Sequence, residues 1–163
     1  MSSHFEDDVL ACLKVLREGG LILYPTDTIW GIGCDATNEA AVERIFKLKD
    51  RPGQKAMVVL LAEARDIFHY TASPDPEIFD HLENFTRPTT IIFKNALGLA
   101  KNLIAADGSI AIRICKDEFC THLLKRFRKP LVSTSANLSG SPSPVNFKSI
   151  DPVIINGVDW VVK

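Results

Sequence analysis

Apolar positions along this chain recur in two periods, and the switch between them marks out the elements. Val9, Leu10, Leu13 and Leu16 follow Ser3 and Glu6 at helical spacing. Ser3 and Glu6 can form a capping box, and Gly19-Gly20 end the run. Residues 21–24, Leu-Ile-Leu-Tyr, read as a buried strand that Pro25 terminates. Asn38 is placed to cap a second helix with Ala41, Val42, Ile45, Phe46 and Leu48 on its buried side, and Pro52-Gly53 break it. Residues 56–62 form a strongly apolar strand, and a polar stretch then leads into a helix over 76–85. A strand over 88–93 opens with two threonines, and a short helix follows at about 97–103. The Asp107-Gly108 turn leads to a strand over 109–114. Asp117 can cap a helix bearing Phe119, Leu123, Leu124 and Phe127. Pro130 introduces the apolar pair Leu131-Val132, and beyond Pro144 only a short strand at 158–162 is evident. Strands alternating with helices, without repeat or linker, predict one α/β domain spanning 1–163 with a largely covered sheet.

Composition narrows this only modestly. Over 163 residues, 46% hydrophobic and 24% charged is ordinary for a soluble globular protein. A net charge of −1 provides no global field for nucleic acid, so any such binding depends on local patches. Lys47, Lys49, Arg51 and Lys55 gather around the single acid Asp50, and Lys125, Arg126, Arg128 and Lys129 form a second run. The second run reads as a solvated helix end, where cations suit the dipole. Cys12, Cys34, Cys115 and Cys120 form no C-x-x-C pair and no ligand set with the histidines, which suggests reduced structural thiols in a cytoplasm. No apolar signal core and no run approaching the ~18 residues of a membrane span is present, so no membrane association is expected.

Candidate chemistry concentrates where the apolar runs stop. Ser133, Thr134, Ser135, Asn137, Ser139, Ser141 and Ser143 place seven small hydrogen-bonding side chains in eleven positions, with Gly140 among them. By composition this is either an ordinary Ser/Gly/Pro turn or a loop that grips phosphate, ribose or carboxylate. Thr26, Asp27 and Thr28 present polar groups from a turn, and Gly31 and Gly33 flank Ile32, which suggests close packing or an approaching ligand. Lys49 and Arg51 can aim at one site only if their helix ends between them. Arg113 is the sole charge in its strand and requires a partner or a pocket. Cations beside hydroxyl-rich strand ends suit a polyphosphate. No phosphate-binding glycine loop and no G-x-G-x-x-G accompany them.

Together, Tyr-Pro-Thr-Asp-Thr-Ile-Trp-Gly-Ile-Gly (24–33), Lys49-Asp-Arg51-Pro52 with Lys55, Pro-Thr-Thr-Ile-Ile (88–92), Ile-Ala-Ile-Arg113 and Pro-Leu-Val-Ser-Thr-Ser-Ala-Asn-Leu-Ser-Gly (130–140) resemble the YrdC family, the threonylcarbamoyl-AMP synthases. The match runs from about residue 7 to 147 in the family's order. The combined Lys-x-Arg and Ser-x-Asn signatures are far more specific than either alone. The resemblance implies a YrdC/RibB-like twisted mixed β-sheet flanked by helices, with a concave positively charged surface. It implies a nucleotidyltransferase that converts L-threonine, bicarbonate and ATP, with Mg2+, to threonylcarbamoyl-AMP and pyrophosphate. The product would pass to a downstream tRNA threonylcarbamoyltransferase for N6-threonylcarbamoylation of adenosine 37.

Carried over position by position, Lys49, Arg51, Lys55, Thr90, Ser133, Ser135 and Asn137 are expected to bind ATP, with Lys49 and Arg51 catalytic. Thr28 and Arg113 are expected on the threonine side. The chain departs from the family at Trp30, where tyrosine is commoner, at Arg87, which replaces a glycine, at Ala56-Met57, which replace Pro-Leu, and at Leu60, where many members carry histidine. The resemblance also implies a further segment beyond Lys163. A different function on the same fold is a non-catalytic factor that binds tRNA or double-stranded RNA. A third reading on the same fold is a carbamoyl transfer of the hydrogenase-maturation kind, for which attached acylphosphatase-like or zinc-finger regions would be expected.

Overall fold

A computed structural model of the chain describes residues 3–26, 29–49, 57–72, 74–84, 87, 89–138 and 140–162. The elements are α1 (Ser3–Arg17), β1 (Ile22–Pro25), β2 (Trp30–Asp35), α2 (Glu39–Leu48), β3 (Val58–Leu61), α3 (Glu77–Asn84), β4 (Thr90–Phe93), β5 (Ile110–Ile114), α4 (Glu118–Phe127), β6 (Leu131–Ser135), α5 (Pro152–Gly157) and β7 (Trp160–Val161). The strands form one mixed sheet in the order β4-β5-β3-β6-β2-β1-β7. β3 runs parallel to β5 and β1 parallel to β7, and the other neighbours are antiparallel. The expected mixed α/β sheet is therefore present.

Side chains alternate across a strand, so each face has its own core. Leu23, Ile32, Val59, Ile112 and Val132 pack with Val42, Ile45 and Phe46 of α2. On the other face Ile22, Tyr24, Leu60 and Leu131 pack with Val9, Leu13 and Leu16 of α1 and with Phe119, Leu123 and Phe127 of α4. Two of the foreseen caps, at Asn38 and Asp117, are formed. The Asn38 side chain accepts from the Ala41 amide at 3.0 Å and that of Asp117 from the Cys120 amide at 2.9 Å. The cover does not reach the β4 edge, where Thr90 is exposed and Ile92 keeps 64% of its surface.

Four local expectations change. Residues 30–35, to which the sequence pattern assigned no element, form β2, near the centre of the sheet. The glycines admit the Tyr24 ring: a Cβ at Gly33 would stand 3.0 Å from Tyr24 Cε1 and 3.0 Å from the Val132 carbonyl. Leu10 stays 48% exposed, because the buried stripe of α1 runs through Val9, Cys12, Leu13 and Leu16. The helix expected at 97–103 shrinks to a single 3-10 turn, Lys101–Leu103. Finally, α5 was not foreseen. It is six residues long with Ile154 as its buried residue, too short to show a period.

Candidate active site

The polar end of β6 is built from both faces of the sheet. Ser133 and Ser135 share a face with Leu131, whereas Thr134 lies opposite Ile32 on the α2 side. Lys49, the C-cap residue of α2, is fully buried and reaches up from that side. Its ammonium donates to Thr134 Oγ1 at 2.7 Å, to the Ser135 carbonyl at 2.6 Å, and to Ser135 Oγ and Asn137 Oδ1 at 3.4 Å each. Ser135 Oγ also donates to Asn137 Oδ1. The Asn137 amide nitrogen in turn donates to the Ser141 carbonyl at 2.6 Å, which closes the loop after β6. Gly140 serves that loop with φ +88, a left-handed conformation that a side chain would strain.

The other walls come from neighbouring strands. Tyr24 is buried and donates from its hydroxyl to Ser133 Oγ at 2.9 Å. Burial pushes the Tyr24 phenol well above its ordinary range, with the charges of Cys120, Cys115 and Asp117 adding to the rise, so it remains a donor. Thr26 accepts from the Ile29 amide at 3.1 Å and pins the turn between β1 and β2. The Trp30 amide donates to the Pro144 carbonyl at 3.1 Å, and the Trp30 ring meets Phe147 edge-on at 5.3 Å, which folds the far arm of the Ser/Asn loop back onto β2. Across the sheet, Arg113 on β5 stands opposite Thr90 on β4, and its Nε and an Nη donate to Thr90 Oγ1 at 3.1 and 2.9 Å. Arg113 lies on the same face as Ser133, two strands away and one step along. Strand spacing and rise put their Cα atoms roughly 12 Å apart.

Of the residues named from sequence, the structure gathers Lys49, Ser135 and Asn137 into one cluster and puts Ser133 beside it. It pairs Thr90 with Arg113 on the open part of the same sheet face. Thr28, Arg51 and Lys55 lie outside the described residues. Leu60, opposite Arg113 in register, is buried in the α1–α4 core. Two contributors were missed. Tyr24 pairs Gly31 in the β1–β2 ladder, which the sequence did not reveal, and Thr134 was counted only among the hydroxyls that follow Val132. The second basic run is more paired than its reading as a solvated helix end implied: Arg126 bridges Glu6 at 2.9 Å and Lys129 lies 3.5 Å from Asp35. Among the described residues no group of three or more His, Cys, Asp or Glu side chains could hold a metal ion, and no helix is long and apolar enough to cross a membrane.

Residues 14–163 match the model of the Sua5/YciO/YrdC family, described as "Telomere recombination". The chain belongs to this family. It is 32% identical over 155 residues to the threonylcarbamoyl-AMP synthase of Stenotrophomonas maltophilia (strain K279a), covering 93% of this chain and 83% of that protein. It is 33% identical over 153 residues to the protein of the same name from Xanthomonas oryzae pv. oryzae (strain PXO99A), covering 92% and 82%. In fold it matches P. abyssi Sua5 complexed with L-threonine, with a TM-score of 0.85 at 24% identity over 96% of this chain. The chain spans about half of that protein's length, 46%. E. coli YciO matches with a TM-score of 0.80 at 22% identity, over 96% of this chain and 77% of that one. Both structural likenesses carry the Sua5/YciO/YrdC fold.

Proposed function

We propose that this chain is a threonylcarbamoyl-AMP synthase, a nucleotidyltransferase acting on L-threonine, bicarbonate and ATP. The observation that carries the reading is the Lys49 cluster: a buried ammonium tied to Thr134, Ser135 and Asn137 at the end of β6, in a member of this family. The threonylcarbamoyl-AMP synthases at 32–33% identity supply the reaction class.

In this reading the amine of L-threonine adds to bicarbonate-derived CO2, and the resulting carbamate oxygen attacks the α-phosphorus of ATP. Pyrophosphate leaves, and no protein nucleophile is required, so catalysis rests on positioning and on charge stabilisation. Lys49 fixes the Ser135–Asn137 loop and brings positive charge to the end of β6. Ser133, Ser135 and Asn137 offer hydroxyl and amide groups to the nucleotide, with Thr90 at its far side. Arg113 takes the threonine carboxylate or another anionic group, and Thr28 the threonine side. Arg51 and Lys55, which follow Lys49 in the chain, would bind the phosphates. The donors at this site are hydroxyls, an amide and cations, which do not fit a resident magnesium site. The ion belongs with the ATP phosphates, as Mg2+ keeps most of its water and binds through substrate oxygens. The product would be consumed by an enzyme that transfers the threonylcarbamoyl group to tRNA.

The test is pyrophosphate release from ATP with L-threonine and bicarbonate omitted in turn. Release that needs both supports the reading, and ATP consumption indifferent to both would overturn it.

A further inference from the structure

The two serines that β6 presents on the face shared with Arg113 spend their protons differently. Ser135 Oγ donates to Asn137 Oδ1, and the Asn137 amide nitrogen donates to the Leu138 and Ser141 carbonyls at 3.1 and 2.6 Å. Those protons shape the loop. Ser133 Oγ accepts from the Tyr24 hydroxyl at 2.9 Å, and its own proton goes to no group among the described residues. A serine hydroxyl has one proton and two lone pairs, so half-buried Ser133 keeps a donor for whatever binds above the sheet.

Burial forces the direction of the Tyr24–Ser133 bond. Tyr24 is 1% exposed, and Ser133 Oγ is the acceptor that its hydroxyl meets among the described residues. Were Ser133 the donor instead, the phenol proton would stand in the core without an acceptor, which costs its full desolvation. The approach is also specific. Tyr24 belongs to β1 and Ser133 to β6, with β2 between them, and the ring crosses β2 over two glycines. A Cβ at Gly31 would stand 3.4 Å from Tyr24 Cζ, and one at Gly33 3.0 Å from Cε1. Gly33 is itself the register partner of Ser133. A phenylalanine ring would fill the same space, so what the hydroxyl adds is one bond to one serine.

We propose that Tyr24 is a positioning residue: by filling one lone pair of Ser133 it turns the serine proton outward, which makes Ser133 a fixed donor to an acceptor oxygen of the bound nucleotide. The inference rests on the synthase reading, in which Ser133 lies on the nucleotide. A serine held in this way suits a phosphoryl or carbonyl oxygen and disfavours an N–H, which would meet proton with proton. Because the hydroxyl is oriented before the ligand arrives, its ordering is not charged to binding.

The experiment is a double-mutant cycle on nucleotide binding. The Kd of α,β-methylene-ATP, which the reaction cannot cleave, is measured by titration calorimetry with L-threonine present, for the wild-type chain, Tyr24→Phe, Ser133→Ala and the double variant, each checked for cooperative unfolding. Ser133→Ala should weaken binding about ten-fold and Tyr24→Phe about three-fold. The double variant should match Ser133→Ala within about 1.5-fold, because Tyr24 acts through the serine. Two results overturn the proposal: a Tyr24→Phe chain that unfolds more easily yet binds as wild type does, or a Tyr24→Phe effect of the same size with and without the Ser133 hydroxyl. A wild-type chain that does not bind the nucleotide overturns the synthase reading and this inference together, so the two failures are distinguishable.

Discussion

Lys49 and Arg113 each donate to a threonine hydroxyl on the sheet, yet their surroundings are opposite. Lys49 is fully buried and reaches four oxygens on three residues, so its position is over-determined. Arg113 meets one hydroxyl with two of its nitrogens toward the β4 edge, beyond the cover of α1 and α4. Burial strengthens a hydrogen bond and penalises its loss, whereas an exposed bond exchanges readily with water. The first cation is therefore part of the framework that shapes the loop, and the second is a group presented to solvent and to ligands. The same chemistry thus takes two roles by depth alone.

Removing Lys49 is the sharpest way to break this contrast. Lys49→Ala should slow pyrophosphate release on the order of 10²-fold or more, by analogy with the loss of one preorganised donor. It should also destabilise the fold by about 2 kcal/mol or more, because the stem leaves a cavity and Thr134 loses its partner. Denaturant titration that finds the variant as stable as wild type would remove Lys49 from the framework. Arg113→Ala should raise KM for the anionic substrate about ten-fold while stability stays within about 0.5 kcal/mol. An unfolded Arg113→Ala protein would erase the difference between the two cations.

Tyr24→Phe tests depth without charge. The lost bond to Ser133 should reduce stability by about 1 kcal/mol, and an unchanged unfolding midpoint would mean that water replaces the hydroxyl. Asp159 tests an exposed pair: Arg44 at 2.7 Å, with the Leu21 amide, holds its carboxyl below the ordinary carboxylate range. Its folded pKa is depressed, so its contribution is present above the unfolded value and is lost as pH falls through the folded one. Both partners are more than 40% exposed, so Asp159→Asn should lower stability by less than about 1 kcal/mol at neutral pH and by nothing once acid has protonated the carboxyl. Smallest of all, Lys125→Ala on the second basic run should leave pyrophosphate release within about two-fold. An effect equal to that of Lys49→Ala would move the site to the end of α4.

Several of these residues were legible because the physics that places them is local. The Asn38 and Asp117 caps follow from side chains that bond amides three residues on, and the buried stripe of α2 follows from the 3.6-residue period. β2 was not legible, since its glycines deny it the β-branched signature of a strand. Those glycines are there to accommodate Tyr24 from the neighbouring strand. Leu10 misled because a helical stripe is wider than the surface it meets, and only the positions of α4 and β1 decide which edge of the stripe is covered.

At the site the division is similar. By itself the sequence determined that hydroxyls, an amide and cations cluster at the ends of apolar runs, and it named Lys49, Ser133, Ser135, Asn137, Thr90 and Arg113. It also placed the chain among its relatives, as residue order is a property of the chain alone. Only the tertiary structure decided that Lys49 rises through one face to meet Thr134 while Ser133 and Arg113 lie on the other. A strand's alternation can be read along one segment, but the face that receives a helix depends on contacts many residues away. Burial, which separates framework cation from ligand-facing cation, exists only once those contacts are made.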